Sequence, residues 1–595
     1  MMPTDELATY VPLEPTGTLT EALARTISRR PDSVAVRSHD NRLSYTWREL
    51  GERVEALAKG FHSLGLRRGD KIAMLMANRP EFFAIDLALV RLGVVPFSLY
   101  ATSSREQNSY ALEDSGARAI IVSAPFLPRL EGVELPELRV MLDEPTADGW
   151  LAVDDLVARG AEVDLSSVRD PEPDDLLTMI YTSGTTGAPK GALISHRNLM
   201  YAADSTLRAV KAPTGTTIVS WLPTAHIGER TGGYGMTVVQ GFEAVTVADP
   251  REVVNVLPEI NPGYFYGPPR TFEKLRASFE SWVLTLDEAE RDAVTKGLEA
   301  SFQQVRCEQA GDAVPDEVRA LSARARDELI QPWRAQVGLD NLQIAVVATA
   351  PNPGPLMEFY HAIGIPMAEV YGLTESGAGG TSARMGEIRI GTVGRPGVHV
   401  ELKIADDGEI LLRGPSIFVG YHNRPDATAE AVDDEGWLHT GDLGSLDDAG
   451  YLKVIGRKKE ILVTSSGKNV SPVTVESAII SSSPLIGQTL AFGEGRPYLV
   501  ALIVLDGEYA RSWAAQEGLA ATDLRTLAED PRLLAAVGEA VARGNEKLNR
   551  VEQIKKFHVL PHEWLPGTVE LTPTSKMRRE PIIAKYADII EGLYS

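Results

Sequence analysis

The residues best suited to chemistry form one short stretch, Tyr181–Gly191, which reads YTSGTTGAPKG. Glycines let a backbone approach a ligand closely, while hydroxyls, backbone N–H groups and a lysine suit a polyphosphate. Apolar runs at 176–180 and 192–194 flank the stretch and predict a loop between two strands, and the segment Ser195–Asn198 that follows predicts the start of a helix. A flexible surface turn is the alternative, because short motifs also match by chance. The candidate phosphate contacts are Thr182, Ser183, Gly184, Thr185, Thr186 and Lys190.

The stretch differs from two common nucleotide-binding loops. It lacks the Gly-Lys-Ser/Thr ending of P-loop proteins and the spacing of a dinucleotide fingerprint. It resembles the signature loop of the adenylate-forming superfamily, which contains acyl-CoA synthetases, firefly luciferases and adenylation domains. Further motifs of that superfamily follow in order, so the resemblance extends from Leu19 to Ala584. It implies that the loop binds the phosphates of ATP.

The segment Tyr371–Ser376, YGLTES, resembles the superfamily motif YGxTE. The resemblance implies that Tyr371 stacks on adenine, with Gly372 beside it, and that Thr374 contacts the α-phosphate. It also implies that Glu375 holds Mg²⁺, a hard cation that prefers oxygen ligands. The preceding segment, 345–351, departs from the superfamily's usual pattern, which is Gly, then Gly or Ala, then Ala-Pro. Its predicted adenine-pocket residues are Thr349, Ala350 and Pro351.

A ribose-binding pair and a hinge are implied by two later motifs. Thr440–Gly444 matches TGDxG, in which the carboxylate of Asp442 would accept hydrogen bonds from the ribose hydroxyls. Gly456–Glu460 resembles the superfamily's domain hinge, with Arg457 as a second ribose contact and Lys459 as the hinge residue.

The segment 571–579 matches the superfamily segment that carries the catalytic lysine, which is Lys576 here. The small domain of the superfamily rotates about its hinge between two half-reactions. The loop expected near the pantetheine arm of coenzyme A contains Ser466, Gly467 and Lys468. The catalytic residues that the resemblance implies are Lys576, Thr182, Glu375 and His226.

The segment Trp221–Arg230, WLPTAHIGER, resembles the LPLAHxxER segment of long-chain acyl-CoA synthetases. There the residue equivalent to His226 lies near the carboxylate of the bound acid. Nearby glycines could leave room for an alkyl chain or could be helix-packing contacts, and both interpretations stay open. These glycines are Gly228, Gly232, Gly233, Gly235 and Gly241.

A charged, helical pattern at 281–339 resembles an insertion of the long-chain branch, with apolar residues such as Trp282, Leu284, Leu286 and Leu321 as anchors. There are two alternatives. The segment could form a surface that binds a partner or rests on a membrane, or it could form a packed helical hairpin.

The elements that must position these groups alternate between helix and strand. Thr46 and Glu49 have capping-box spacing and precede an apolar helix face. Apolar runs predict buried strands at 71–76, 94–99 and 119–123, and a second helix is predicted at 81–92. This alternation predicts an α/β fold with parallel sheets. The resemblance implies a large N-terminal domain, 1–458, of two αβ-layered sheets plus a distorted β-barrel, and a small mobile α+β domain, 459–595.

The composition of the chain limits the kinds of partner and cellular compartment that fit the protein. The chain of 595 residues has a net charge of −23, which argues against a nucleic-acid partner, and its single cysteine, Cys307, fits a reducing compartment. The longest apolar run, at 498–505, is too short to cross a bilayer. These features predict a cytoplasmic protein with no transmembrane segment. Peripheral contact with the inner face of the membrane and a homodimer stay open.

The predicted function is ATP-dependent activation of a long-chain fatty acid to an acyl-adenylate, followed by transfer to coenzyme A. The products would be acyl-CoA, AMP and pyrophosphate, with Mg²⁺ as cofactor and ATP and coenzyme A as co-substrates. Three alternatives stay open: a fatty acyl-AMP ligase that delivers to a carrier protein, a ligase for another hydrophobic carboxylic acid, and a non-catalytic nucleotide-binding protein.

Overall fold

The computed structural model describes residues 15–144, 146–182, 188–349, 354–519, 523–565, 567–572 and 576–595. The packing of its Cα atoms divides the chain into two compact units. The first unit contains Met1–Thr349, Glu358–Lys403 and Leu411–Thr440, and the second contains Ala350–Met357, Ile404–Ile410 and Gly441–Ser595.

The strands, in chain order, are β1 (Val34–Ser38), β2 (Ser44–Thr46), β3 (Lys71–Leu75), β4 (Val95–Ser98), β5 (Ala119–Val122), β6 (Leu138–Met141), β7 (Leu151–Ala152), β8 (Leu176–Thr182), β9 (Lys190–Ser195), β10 (Thr217–Ser220), β11 (Glu243–Thr246), β12 (Tyr264–Gly267), β13 (Ile344–Val347), β14 (Met367–Glu369), β15 (Thr381–Ser382), β16 (Arg395–Pro396), β17 (Glu401–Ile404), β18 (Glu409–Arg413), β19 (Gly420–Tyr421), β20 (Leu438–Leu446), β21 (Leu452–Arg457), β22 (Leu462–Val463), β23 (Asn469–Val470), β24 (Ile486–Phe492), β25 (Leu499–Leu505) and β26 (Ile554–Leu560).

The α-helices are α1 (Leu19–Arg29), α2 (Trp47–Ser63), α3 (Pro80–Arg91), α4 (Arg105–Ser115), α5 (Val153–Arg159), α6 (His196–Val210), α7 (Met236–Gln240), α8 (Val253–Ile260), α9 (Pro269–Thr285), α10 (Glu288–Ala310), α11 (Asp316–Arg324), α12 (Gln331–Gln336), α13 (Gly354–Ala362), α14 (Pro425–Ala431), α15 (Pro472–Ile480), α16 (Gly507–Gln516), α17 (Leu524–Leu527), α18 (Pro531–Glu546), α19 (Arg579–Lys585) and α20 (Ala587–Gly592). Short 3₁₀ segments lie at Ala124–Leu130, Pro250–Glu252, Thr374–Ser376 and Lys458–Glu460, and π-helical segments lie at Glu229–Gly235 and Ala325–Leu329.

Two mainly parallel sheets form the framework of the first unit. One has the order β4–β3–β5–β6–β7 and is parallel throughout. The other has the order β14–β13–β12–β10–β11–β1–β2 and is parallel except for the β1–β2 pair. Most of their central strands are almost fully buried, as expected for sheets covered by helices on both faces, whereas the edge strand β2 is partly exposed. The α/β fold predicted from the alternation of helices and strands is confirmed.

Local sequence signals set several element boundaries. Thr46 caps α2 and completes a capping box with Glu49, as the spacing predicts. The apolar face of α2 is buried against α3, whose residues Phe82 to Val90 are buried on all sides. Ser195 caps α6 in the same way, which confirms the helix start expected after the loop. These caps satisfy backbone N–H groups that the first turn of a helix leaves unpaired.

The second unit is built around a mixed sheet in the order β24–β25–β26. The apolar run that the sequence placed at 498–505 forms β25, whose residues are all buried, because β24 and β26 flank it and helices cover it. One core, beneath α15 and α18, contains Val475, Ile479 and Val537, and another, beneath α19 and α20, contains Trp564 and Ile582. Among the described helices, none has the length and apolar composition that crossing a bilayer requires.

The segment with the charged, helical pattern forms α10, α11, a π-helical turn and α12, preceded by α9. Trp333 and Val305 are buried there. The interpretation of every apolar residue as an anchor was wrong, since Leu284 is 64% exposed and Leu321 is 41% exposed. Both residues lie on a side of their helix that faces solvent. The charged residues between the apolar ones make the spacing irregular, so the sequence alone did not identify the buried face.

Candidate active site

The phosphate-loop candidate lies at the end of a β-hairpin. Strands β8 and β9 are antiparallel and place Thr182 directly opposite Lys190, and the Thr182 hydroxyl donates to the Lys190 carbonyl at 3.3 Å. Both side chains are half-buried. The hairpin therefore holds these two candidates together at the base of the loop. The candidates Ser183, Gly184, Thr185 and Thr186 lie outside the described residues.

A third strand brings a residue that the sequence analysis missed. Strand β19 pairs with β9 and sets Tyr421 opposite Ala192. The Lys190 ammonium consequently lies over the Tyr421 ring, 4.9 Å from its centroid. The Tyr421 hydroxyl donates to Glu375 Oε1 at 2.6 Å. Tyr421 thus links two predicted site residues that lie far apart in sequence, a contact for which no local motif gives a signal.

Glu375 lies on a tight 3₁₀ turn, Thr374–Ser376, that local hydrogen bonds hold. The Ser376 hydroxyl accepts from the Leu373 backbone N–H at 3.0 Å, and the Glu375 carbonyl accepts from Phe418 N–H at 2.9 Å. Thr374 and Glu375 are half-buried, so the turn presents a hydroxyl and a carboxylate side by side.

This environment fits a magnesium ion bound mainly by substrate. In the described part of the chain, no group of three or more His, Cys, Asp or Glu side chains could hold a metal ion. With nucleotides, Mg²⁺ is commonly bound by one or two carboxylates together with phosphate oxygens and water, and the single carboxylate of Glu375 is compatible with that arrangement.

The adenine-pocket candidates lie at the ends of β13 and β14. Tyr371 pairs with Thr381 in an antiparallel bridge. Gly372 has no room for a side chain, because a Cβ there would lie 2.6 Å from the Ala378 carbonyl. Thr349 has a φ of 75°, which β-branched residues rarely adopt. Such strained backbone is concentrated at functional sites, which supports its place in the pocket. The candidates Ala350 and Pro351 lie outside the described residues.

One ring nitrogen of His226 is hydrogen-bonded to the backbone. The Gly228 N–H donates to His226 Nδ1 at 3.0 Å, so Nδ1 acts as an acceptor and the proton lies on Nε2. The side chain is half-buried. In this tautomer Nε2 carries the donor proton of the ring.

Glu229 is part of a buried hydrogen-bond network beside His226. Its carboxyl accepts from the Ser220 hydroxyl at 2.6 Å and from the Tyr266 hydroxyl. Ser220 also accepts from the Asn78 amide at 3.2 Å. Burial raises the pKa of Glu229 to about 7, although both hydroxyl donors favour the charged form. Sequence analysis placed Glu229 in the acid-binding segment but assigned it no role.

The neighbouring Arg230 makes a fully buried ion pair with Asp86 on α3. The guanidinium also donates to the Thr178 hydroxyl at 2.6 Å, and the Tyr234 hydroxyl donates to Asp86 at 2.6 Å. These contacts tie the π-helical segment to α3 and β8. They satisfy a charged pair whose burial would otherwise be costly.

Some of the glycines after His226 are packing contacts, and one has open space beside it. A Cβ on Gly233 would overlap the Glu229 carboxylate and the Tyr266 hydroxyl, and one on Gly235 would lie 2.9 Å from Leu199. At Gly232 the nearest atom, in the Tyr266 ring, would be 3.8 Å away. Only Gly232 of these three has room for an added side chain.

The predicted ribose contacts form a pair in the second unit. Asp442 on β20 and Arg457 on β21 are register partners and form an ion pair at 2.9 Å. Asp442 is buried, whereas Arg457 is 42% exposed. Lys459 follows in the 3₁₀ turn Lys458–Glu460.

The predicted pantetheine loop is an exposed turn. The Thr464 hydroxyl accepts from the Lys468 backbone N–H at 3.2 Å and lies 3.0 Å from the Ser466 hydroxyl. Gly467 has a φ of 73°, which a glycine adopts without strain.

Two hydrogen bonds join Lys576 to Thr572. The Thr572 N–H donates to the Lys576 carbonyl at 2.8 Å, and the Lys576 N–H donates to the Thr572 hydroxyl at 3.0 Å. Two residues before Thr572, buried Glu570 accepts from Lys585 at 2.5 Å and from the Tyr586 hydroxyl at 3.0 Å. Burial opposes ionisation of Glu570, but these donors lower its pKa to about 2.

Arg579, three residues after Lys576, connects this segment to the hinge turn. It forms ion pairs with Glu460 at 3.1 Å and with buried Glu476 at 2.5 Å. These contacts within the second unit hold the start of α19 against the predicted hinge. The sequence analysis missed them, because charged residues more than a hundred positions apart carry no pairing signal.

The sequence of the chain is similar to several named proteins. The putative fatty-acid–CoA ligase fadD11 of Mycobacterium tuberculosis H37Rv is 39% identical over 453 residues, which cover 76% of this chain and 79% of that protein. The long-chain-fatty-acid–CoA ligase FadD15 of the same strain is 34% identical over 571 residues, which cover 92% of each.

The fold is also that of solved adenylate-forming enzymes. The anthranilate CoA ligase AuaEII, solved with anthranoyl-AMP, superimposes with a TM-score of 0.74 at 20% identity, over 98% of this chain and 99% of that one. Residues 23–422 match the AMP-binding enzyme family, and residues 459–595 match the C-terminal domain of AMP-binding enzymes. Together with the paired site residues, these matches show that the chain belongs to the family of AMP-binding enzymes.

Proposed function

We propose that the protein is a long-chain fatty acid–CoA ligase. It converts the acid with MgATP to an acyl-adenylate and transfers the acyl group to coenzyme A, releasing pyrophosphate and then AMP. The observation that carries the proposal is the meeting of Glu375 and Lys190 on Tyr421 beside the phosphate-loop hairpin. This places a carboxylate for a metal next to an ammonium for phosphate, in a chain whose relatives are named as fatty-acid–CoA ligases.

The barrier to adenylation is mostly one of charge and alignment, because a carboxylate must attack a phosphorus atom surrounded by negative oxygens. Magnesium held by Glu375 would supply positive charge to those oxygens. Lys190 and the Thr182 and Thr374 hydroxyls bind and orient the phosphates. Lys576 adds positive charge during adenylation, and Asp442 and Arg457 hold the ribose.

His226 orients the acid. With its proton on Nε2, it donates to one oxygen of the fatty-acid carboxylate and leaves the other oxygen available for attack. A neutral donor suits this role, because it fixes the carboxylate without removing the electron density that makes it a nucleophile.

Several parts of the proposal rest on family resemblance. Residues 1–458 bind ATP and the acid, and residues 459–595 carry Lys576 and turn about Lys459 between the half-reactions. Ser466, Gly467 and Lys468 bind the pantetheine arm of coenzyme A. Thr349, Tyr371 and Gly372 form the adenine pocket.

A product assay tests the proposed function. Purified protein is incubated with MgATP and acids from acetate to very long chains, with and without coenzyme A, and nucleotides and thioesters are separated by chromatography. We expect AMP, pyrophosphate and acyl-CoA, with the highest rate for long-chain acids. ADP and phosphate as products would rule out adenylation. Adenylate that never reaches coenzyme A would indicate a ligase that serves a carrier protein instead.

A further inference from the structure

Tyr421 makes two contacts that the proposed chemistry does not by itself require. Its hydroxyl donates to Glu375 Oε1 at 2.6 Å, and its ring face meets the Lys190 ammonium 4.9 Å from the centroid. All three side chains are half-buried. A tyrosine has only two side-chain torsions, so one rigid group sets the positions of both the carboxylate and the ammonium.

The Tyr421 ring is itself held in place. Strand pairing sets Tyr421 opposite Ala192, and its N–H donates to the Thr428 hydroxyl at 2.9 Å. The Phe418 ring packs edge-on against it, with centroids 4.8 Å apart. Gly420 has a φ of 145°, and a Cβ there would lie 2.8 Å from Thr428. The backbone can therefore approach Thr428 only with glycine at this position.

We propose that Tyr421 is a positioning residue for adenylation, which presets Glu375 for the metal and Lys190 for the phosphates before ATP arrives. The inference rests on the proposed function. A hydroxyl bonded to one carboxylate oxygen restricts the rotation of that carboxylate, and an ammonium over a ring face is held by the ring quadrupole. Preset groups lose less entropy when the nucleotide binds. The half-reaction that uses no ATP should be indifferent to Tyr421.

Two substitutions separate the two contacts. Tyr421→Phe removes the hydroxyl and keeps the ring, and Tyr421→Leu removes both. Binding of a non-hydrolysable ATP analogue is measured by calorimetry with and without Mg²⁺. Tyr421→Phe should weaken binding of the Mg²⁺-bound analogue about tenfold, the size of one hydrogen bond to a charged group. Without Mg²⁺ its binding should equal that of the native protein.

Tyr421→Leu should also weaken Mg²⁺-free binding, by about threefold, because the Lys190 contact is lost. Thioester formation from supplied acyl-AMP and coenzyme A should be unchanged in both variants. Tyr498→Phe is the matched control, because it removes a hydroxyl that donates to the Leu593 carbonyl in the second unit. Equal binding of the Mg²⁺-bound analogue by the native protein and Tyr421→Phe would overturn the inference.

A double substitution guards against general effects on folding. In a Glu375→Gln background, Tyr421→Phe should cause no further loss of Mg²⁺-dependent binding, since the charged partner is already gone. A further tenfold loss there would also overturn the positioning role. If the native protein itself failed to bind the Mg²⁺-bound analogue, the proposed function would fall, and this inference with it.

Discussion

Asp442 and Arg457 face each other across strands β20 and β21 and form an ion pair at 2.9 Å. The two residues predicted to bind ribose therefore hold each other in place without any nucleotide. The arginine is the more exposed partner, and its guanidinium orients the buried carboxylate of Asp442.

Asp442→Ala should raise the KM for ATP about tenfold to a hundredfold and leave the KM for the acid unchanged, because hydrogen bonds to a charged group are lost far from the reacting bond. Initial rates at varied ATP and varied acid measure this. Glu401→Ala is the control, since it breaks an exposed ion pair with Arg413. An unchanged KM for ATP in Asp442→Ala would contradict the ribose assignment.

Glu375→Gln should keep the fold and lower adenylation about a hundredfold to a thousandfold, as for the loss of one electrostatic contact in a transition state. The amide oxygen can still accept from Tyr421, so the local geometry survives. ATP–pyrophosphate exchange at varied Mg²⁺ measures the loss. Glu358→Gln, which disrupts an ion pair with Arg306, should leave exchange intact. Native-like exchange in Glu375→Gln would place the metal elsewhere.

Lys576→Ala should lower acyl-AMP formation about a hundredfold or more and spare thioester formation from supplied acyl-AMP. The reason is that its charge is needed only while phosphate charge develops. Each half-reaction is assayed separately, with Lys555→Ala as a control at an exposed lysine.

Lys459→Pro should have the opposite effect, because proline fixes φ at the hinge. Lys459→Ala, which leaves φ free, should behave like the native protein. Equal loss of both half-reactions in both variants would refute the two-state mechanism.

The sequence alone would suggest Gly233→Trp as a way to shorten the acyl site. This substitution should instead unfold the π-helical segment Glu229–Gly235. Even Gly233→Ala should lower the melting temperature, because its Cβ would overlap Glu229 and Tyr266. Gly232→Leu is the informative variant, since the nearest neighbour there is 3.8 Å away. Each buried methylene contributes about 0.8 kcal/mol, so Gly232→Leu should shift the best substrate toward shorter acids. An unshifted chain-length profile would place the alkyl site elsewhere.

Glu229 should make the stability of the fold depend on pH. Its pKa is raised to about 7 by burial, from an unfolded value near 4.5, so the folded state binds more protons between these values. The free energy of unfolding should therefore fall as pH rises from 4.5 to 7, by up to roughly 3 kcal/mol from this group. In Glu229→Gln the free energy of unfolding should lack this pH-dependent decrease. Urea unfolding of both proteins at pH 5 and pH 7.5 measures the difference, and parallel pH profiles would contradict it.

Much of this protein could be predicted from local sequence. Short apolar runs and caps such as Thr46 and Ser195 placed helices and strands within a residue or two, because burial and the unpaired groups of a helix end act over a few neighbouring residues. The order of motifs likewise indicated the family, since each motif is a contiguous stretch with its own backbone requirement. Leu284 shows the limit, because a local pattern does not say which apolar residue finds a neighbour.

Only the tertiary structure decided which groups meet. Tyr421 joins Lys190 to Glu375 through strand pairing between β19 and β9, and no spacing along the chain encodes that contact. The same holds for the buried pair of Arg230 with Asp86. The same is true of Gly233, which packs closely against Glu229 at a place where the sequence alone allowed room for an alkyl chain. Hydrogen bonds and van der Waals contacts act over a few ångströms in space, so residues distant in sequence acquire their roles only when the sheets assemble.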